Sequence, residues 1–235
     1  MEGFDLQVPK RGATLRLIVE DKIRQAISAG HFRPGQRLVE RELCESMGVG
    51  RTSIREALRQ LEAEGLITSH PHRGPSVSAV SLEEAKQLYT VRALLESFSG
   101  QEFAVHGTQE EVERLEEAAA IFETASLRFG ADPTPQTRRE LIEAKTAFYG
   151  CLMAGSHNVF VEQMLTLLHN RITLLRVTSM TQPGRLAHSV EEIKRIVSAI
   201  KSRDPDSARE ACNDHIDMAA KIAIAYLESQ AIPAG

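Results

Sequence analysis

Arg51, Arg55 and Arg59 stand four residues apart in a stretch that reads as a helix, so one face of it carries three guanidinium groups. Planar cations in a row suit phosphate oxygens and the O6/N7 edge of guanine. Thr52 and Ser53 add hydroxyls at the start of the same helix, where open backbone N–H groups also favour a phosphate. A short β segment and a basic tip, His72-Arg73-Gly74, follow. The row is also compatible with an ordinary solvated face, since Glu56 and Glu62 can neutralise part of it.

A second set of chemically capable residues sits on apolar stripes. Lys145 follows Leu141 by four and precedes Phe148 by three, and Tyr149 precedes Leu152 by three. Arg171 falls between Leu167 and Leu174, His215 between Cys212 and Ala219, and Arg92 between Leu88 and Leu95. Buried charges are costly unless they are paired or line a cavity that takes an anion. Each also has a plain structural reading. Lys145 and Arg92 can snorkel outward, Arg92 can pair with Glu96 in its own helix, and Tyr149 and His215 can be hydrogen-bonded core residues. Five such residues on four stretches of one helical body favour a shared polar pocket.

The elements that must position these residues follow from periodicity. Residues 40–47 read as a short helix with Leu43, Cys44 and Met47 on one side. Gly48 supplies the positive φ that a tight turn needs, Val49 plugs the gap, and Thr52 or Ser53 opens the next helix. Ile54, Leu58 and Leu61 face its core with Ala57. With the β segment and tip this is a winged helix-turn-helix, a device for holding DNA. Residues 82–106, 108–129, 135–154, 159–178, 189–203 and 205–228 then read as successive helices, forming an all-α bundle. In the first of them Ala85, Leu88, Val91, Leu95 and Phe98 fall in step. Thr108 and Glu111 make a capping box, and Pro205 after Asp204 is a good helix start. The expected fold is therefore mainly α. A tail of residues 1–11 precedes a DNA-binding domain over 12–80 and a helical body over 81–230.

Charge divides the same way. Residues 1–80 hold 12 Lys+Arg against 10 Asp+Glu, and residues 81–235 hold 16 against 22, so a mildly basic head precedes an acidic body. No run of 18 apolar residues exists, and the first residues have no secretory pattern, so no membrane partner and a cytoplasmic location are expected. Cys44, Cys151 and Cys212 are widely spaced, without the pairing of a zinc site or disulfide framework. No nucleophile–base pair stands out. His157, His169 and His188 lack an evident partner, which argues against an enzyme.

The head resembles the N-terminal domain of the GntR family of bacterial transcription regulators. Gly35, Leu38, Glu40, Leu43, Cys44, Gly48, Val49, Gly50, Arg51, Ile54, Arg55, Glu56, Ala57, Leu58, Leu61, Glu64, Gly65, Leu66, Ile67, Arg73, Gly74 and Val77 carry the resemblance. Cys44 stands for the usual Ala and Gly50 for the usual Ser, which removes one phosphate-binding hydroxyl. The resemblance implies DNA contacts at Arg41, Arg51, Thr52, Ser53, Arg55, His72, Arg73 and Gly74.

The body resembles the FCD domain, the effector-binding bundle of the FadR-type branch. The cues are Val91-Arg92-x-x-Leu95-Glu96, Phe148, Gly155-x-x-Asn158, Ala199-Ile200, Asp204, Ala208 and His215-Ile216. Many FCD domains hold a divalent metal with one Asp and three His. Here Lys145 stands at the Asp position, Tyr149 and Ile193 at two His positions, and only His215 matches. The expectation is a metal-free domain without a cofactor. In it Arg92, Lys145, Tyr149, Arg171 and His215 bind an organic acid or similar anionic metabolite. The alternative is a metal held through His188 and His215.

The expected function is a ligand-responsive repressor. It acts as a homodimer on a palindromic double-stranded operator and is released by its effector. An activator is the nearer alternative, and a helical enzyme with a DNA-binding head the remote one.

Overall fold

A computed structural model of the chain describes residues 11–28, 30–71, 73–180, 182 and 184–231. Two compact units part between Ser78 and Ala79, with residues 28–30 grouped with the second.

The first unit is a winged helix-turn-helix. It runs α1 (Arg11–Ser28), α2 (Glu40–Met47), α3 (Arg51–Ala63), β1 (Ile67–His70) and β2 (Gly74–Val77). Arg11 opens α1, and residues 1–10 of the expected tail lie outside the described residues. Val19, Ile23 and Ile27 of α1 are buried, as are Leu38, Leu43, Ile54, Ala57, Leu58 and Leu61 of the same unit. Gly48 takes φ 64°, the left-handed conformation that lets the chain leave α2 and enter α3 within three residues. α3 starts at Arg51, one residue before the first expected start, because Gly50 is extended and serves as its N-cap. β1 and β2 pair antiparallel, Ile67 opposite Val77 and His70 opposite Gly74, which makes the wing.

The second unit is all helix: α4 (Leu82–His106), α5 (Gln109–Ala131), α6 (Pro135–Ala154), α7 (Val159–Met180), α8 (Arg185–Lys201) and α9 (Pro205–Ala231). Its helices begin where side chains satisfy the free N–H groups. Capping boxes of Ser81 with Glu84 and Thr108 with Glu111 open α4 and α5. Asn158 Oδ1 accepts from the amides of Phe160 and Val161, and Asp204 Oδ1 from Ser207. The His157 ring bonds the Glu111 carboxylate, which ties the start of α7 to that of α5. The Phe103 ring packs so closely on Gly155 that a Cβ there would overlap it. Gly155, Asn158 and Asp204 are thus scaffold residues.

Three expectations about helix faces need correction. On α4 the inward stripe is Ala85, Leu88, Tyr89, Arg92, Glu96, Ser99 and Phe103, whereas Val91, Leu94, Phe98 and Val105 face outward. Leu94 is 67% exposed while Arg92 is 1% exposed, so hydropathy alone misplaces part of this helix, although Ala85 and Leu88 stay inside as expected. α7 is apolar on two faces. Val161, Leu165, Ile172 and Leu175 are buried, but Phe160, Met164 and Leu167 are exposed, and Arg171 is exposed with them. α8 starts at Arg185 rather than Ser189, because Gly184 in the left-handed region caps it and Arg185 pairs two turns on with Glu192.

Candidate functional site

Two sets of residues concentrate the chemistry, one in each unit. In the head, Arg51, Thr52, Arg55 and Arg59 are exposed and Ser53 is half-buried on α3, opposite the buried Ile54, Ala57, Leu58 and Leu61. No side chain caps α3, so its first amides stay open to a phosphate. Arg41 is exposed on α2, loosely paired with Glu45 at 3.9 Å. Arg55 is the tethered member of the row: its Nε donates to Glu40 Oε2 at 2.8 Å. At the wing tip Arg73 is exposed and Gly74 takes φ 75°, while His72 lies outside the described residues.

In the body, Arg92, Lys145, Tyr149 and His215 do converge, from α4, α6 and α9. Lys145 is 3% exposed, so it does not snorkel. Its ammonium donates to Ser189 Oγ at 2.7 Å and to His215 Nε2 at 3.1 Å. It also lies 4.5 Å from the centre of the Phe122 ring and 5.6 Å from that of Tyr149. His215 gives its Nδ1–H to Glu192, so its Nε2 lone pair is the one that receives the lysine proton. Glu192 also takes a fork from Arg185, at 3.0 and 2.8 Å. Beside this, Arg92 pairs with Glu96 at 2.8 Å and reaches the Tyr149 hydroxyl at 3.4 Å. Burial works against the Arg92 charge, but Glu96 and the Tyr149 and Tyr89 hydroxyls hold it above its ordinary pKa. Burial, aided by Glu96, pushes the neighbouring Cys212 thiol well up, which leaves it inert.

Arg171 is the candidate that the fold does not bring in. It is exposed on α7, where its charge acts on Glu84 in the first turn of α4. Arg185, Ser189 and Glu192 are the members that sequence reading missed. They lie at i, i+4 and i+7 on one face of α8, a spacing legible only once the helix is started at Arg185.

The buried charged residues of the body among the described residues are Arg92, Lys145 and Arg185 against Glu96 and Glu192. On the adjoining face of α8, Leu186 and Val190 meet Phe129 and Met180 in an open, mainly apolar pocket of about 630 Å³.

These residues do not fit the divalent metal of related domains. An ammonium at position 145 repels a cation and already occupies the His215 lone pair, and Ile193, buried and apolar, offers no ligand. His188 does not replace it: the ring is exposed and Nδ1–H donates to Gly184 O at 2.9 Å, apart from the buried His215. Among the described residues no group of three or more His, Cys, Asp or Glu could hold a metal ion. No helix among them is long and apolar enough to cross a membrane.

An arginine-faced recognition helix with a wing, followed by a helical bundle with a charged interior, defines a DNA-binding transcription regulator rather than an enzyme. Residues 15–77 match the family described as bacterial regulatory proteins, gntR family, and residues 87–218 match the FCD domain. The chain belongs to the GntR family, with an FCD domain as its body. It is similar to the HTH-type transcriptional regulator YdhC of Bacillus subtilis (strain 168), 27% identical over 217 residues, or 92% of this chain and 93% of that one. It is also similar to the "Probable D-xylose utilization operon transcriptional repressor" of Paenarthrobacter nicotinovorans, 29% identical over 84% of each chain. The solved structure of E. coli McbR/YncC has the same fold, with a TM-score of 0.74 at 22% identity over 92% of this chain and 98% of that one.

Proposed function

We propose that this regulator is a homodimeric repressor that leaves a palindromic operator when an anionic metabolite, such as an organic acid, enters the body. The observation that carries the effector class is that three basic side chains, Arg92, Lys145 and Arg185, are buried in the body beside His215. Basic groups inside a bundle are costly to bury, and an anionic ligand offsets that cost. Arg92 Nη1 and Glu96 Oε2 are buried without a hydrogen-bond partner among the described residues, so a polar ligand has atoms to satisfy there. The pocket on the adjoining face of α8 offers apolar surface elsewhere in the same body. The name of the Paenarthrobacter relative supports the repressor sense. A thermal-shift screen of organic acids tests the reading, with a dye readout because the chain has no Trp. A true effector at 100 times its dissociation constant adds roughly 2.7 kcal/mol of stability. It should also release the protein from its own promoter DNA. A library in which no acid raises the melting temperature contradicts the effector class.

On DNA, Arg51, Thr52, Ser53 and Arg55 of α3 enter the major groove, while Arg41, His72, Arg73 and Gly74 grip the backbone and the adjacent groove. Arg55→Ala should cost roughly 1–3 kcal/mol at the specific site and little on scrambled duplex, as expected of a base-edge contact. Arg41→Ala should weaken both duplexes alike and flatten the salt slope. Titrations of each variant against the two duplexes decide this, and wild-type binding by both variants refutes the assignment.

Assembly rests on the outward apolar faces of α4 and α7. Val91, Leu94 and Val105 with Phe160, Met164 and Leu167 are 42–80% exposed, more apolar surface than a lone bundle normally leaves to water. Two copies that bury these faces in a twofold contact set the spacing of two winged heads. Leu167→Glu, which alters an 80% exposed residue, should leave the fold intact and shift the full chain toward monomer in light scattering at micromolar concentration. A variant as dimeric as the wild type places the contact elsewhere.

A further inference from the structure

We infer that Glu40 is a positioning residue for DNA sequence reading, acting by fixing the guanidinium of Arg55. This rests on the reading that Arg55 contacts a base edge. Glu40 is the first residue of α2, and its side chain crosses to α3, where Oε2 accepts from Arg55 Nε at 2.8 Å. A carboxylate in the first turn of a helix is favoured by the open amides there. The Glu40 side chain is 30% exposed and that of Arg55 57% exposed, so the pair sits at the surface that faces the nucleic acid.

Such a pair does little for stability, because exposed ion pairs contribute about 0–1 kcal/mol. It also places a negative charge beside the phosphates, which by itself lowers affinity for any DNA. Geometry explains what it does instead. A guanidinium has two edges that can bind a base bidentately, the Nε/Nη side and the Nη1/Nη2 end. With Nε bonded to Glu40, only the end-on fork is presented. Arg51 and Arg59 have no such partner among the described residues: they keep their rotamer freedom and suit phosphate contacts at variable positions. Only Arg55 has its direction set before DNA arrives, and a side chain of fixed direction discriminates one base position better than a free one.

The test is selection of bound duplexes from a randomised pool by the full chain and by Arg55→Ala, Glu40→Ala and Glu40→Gln variants. The wild type should select a guanine at one fixed position of each half-site, with roughly five- to 150-fold discrimination. Arg55→Ala should erase that preference. Glu40→Ala should melt with the wild type and bind scrambled duplex as tightly or more tightly. Its preference at the Arg55 position should nevertheless fall several-fold, toward that of Arg55→Ala. Glu40→Gln keeps an acceptor oxygen and should lie between. An unchanged preference in both Glu40 variants overturns the inference while leaving Arg55 as the reader. An unchanged preference in Arg55→Ala removes the underlying reading instead, and the Glu40 inference with it.

Discussion

Glu192→Ala should lose roughly 3–5 kcal/mol of stability, the usual result of removing one partner from a buried ion pair. Glu192 accepts both arms of the Arg185 fork and the Nδ1–H of His215, and all three residues are at most 6% exposed. Without it, the buried groups described in the body are three basic side chains against one carboxylate, and the 4% exposed Arg185 guanidinium loses the acceptor of its fork. Glu192→Gln keeps the shape and one acceptor, so it should fall between the wild type and alanine. Denaturant melts followed by circular dichroism report the order. If Glu192→Ala unfolds at the wild-type midpoint, the network around it is not holding α8 to α9.

Lys145→Met should move stability and ligand binding in opposite directions. The methionine keeps much of the apolar stem beside Phe122 and removes a buried basic group. Replacing buried charges with apolar groups of similar shape is often neutral or stabilising. The melting temperature should therefore hold or rise. Affinity for an anionic effector should fall by roughly 1.5–3 kcal/mol, the range for a hydrogen bond to a charged group, while DNA binding without effector survives. The same geometry predicts purified protein without stoichiometric divalent metal, and no response of melting temperature or DNA binding to a chelator. About one metal per chain, with melting lowered by chelation, overturns that expectation. A Lys145→Met protein that keeps full effector affinity moves the anion site elsewhere.

Arg92 shows why some of the bundle was hard to read. Hydropathy favours Val91, Leu95 and Phe98 as the inner stripe of α4, yet the helix turns Arg92 and Glu96 inward and leaves Val91 and Phe98 partly in water. The internal pair satisfies itself at i and i+4, which lowers the cost of burial enough for packing to choose the face. α7 misleads in the opposite way. Two apolar faces offer two candidate cores, and the placement of Arg171 depended on which was chosen.

The sequence by itself determined the winged helix-turn-helix, because turn glycine, recognition helix and wing are local signals within about 40 residues, set by backbone conformation and short-range periodicity. It also determined the helical body, the capping box of α5, and five polar candidates, four of which meet inside the body. Tertiary structure alone decided what those four touch outside their own helices. Lys145 finds Ser189 44 residues away and His215 70 residues away, and Glu192 joins His215 to Arg185 across two helices. No periodic pattern encodes such partners, since they are set by how α6, α8 and α9 pack together. Whether a charged residue on an apolar stripe lies in the core or faces solvent depends on which neighbour covers it. That is why Arg185 and Glu192 joined the cluster and Arg171 stayed outside it.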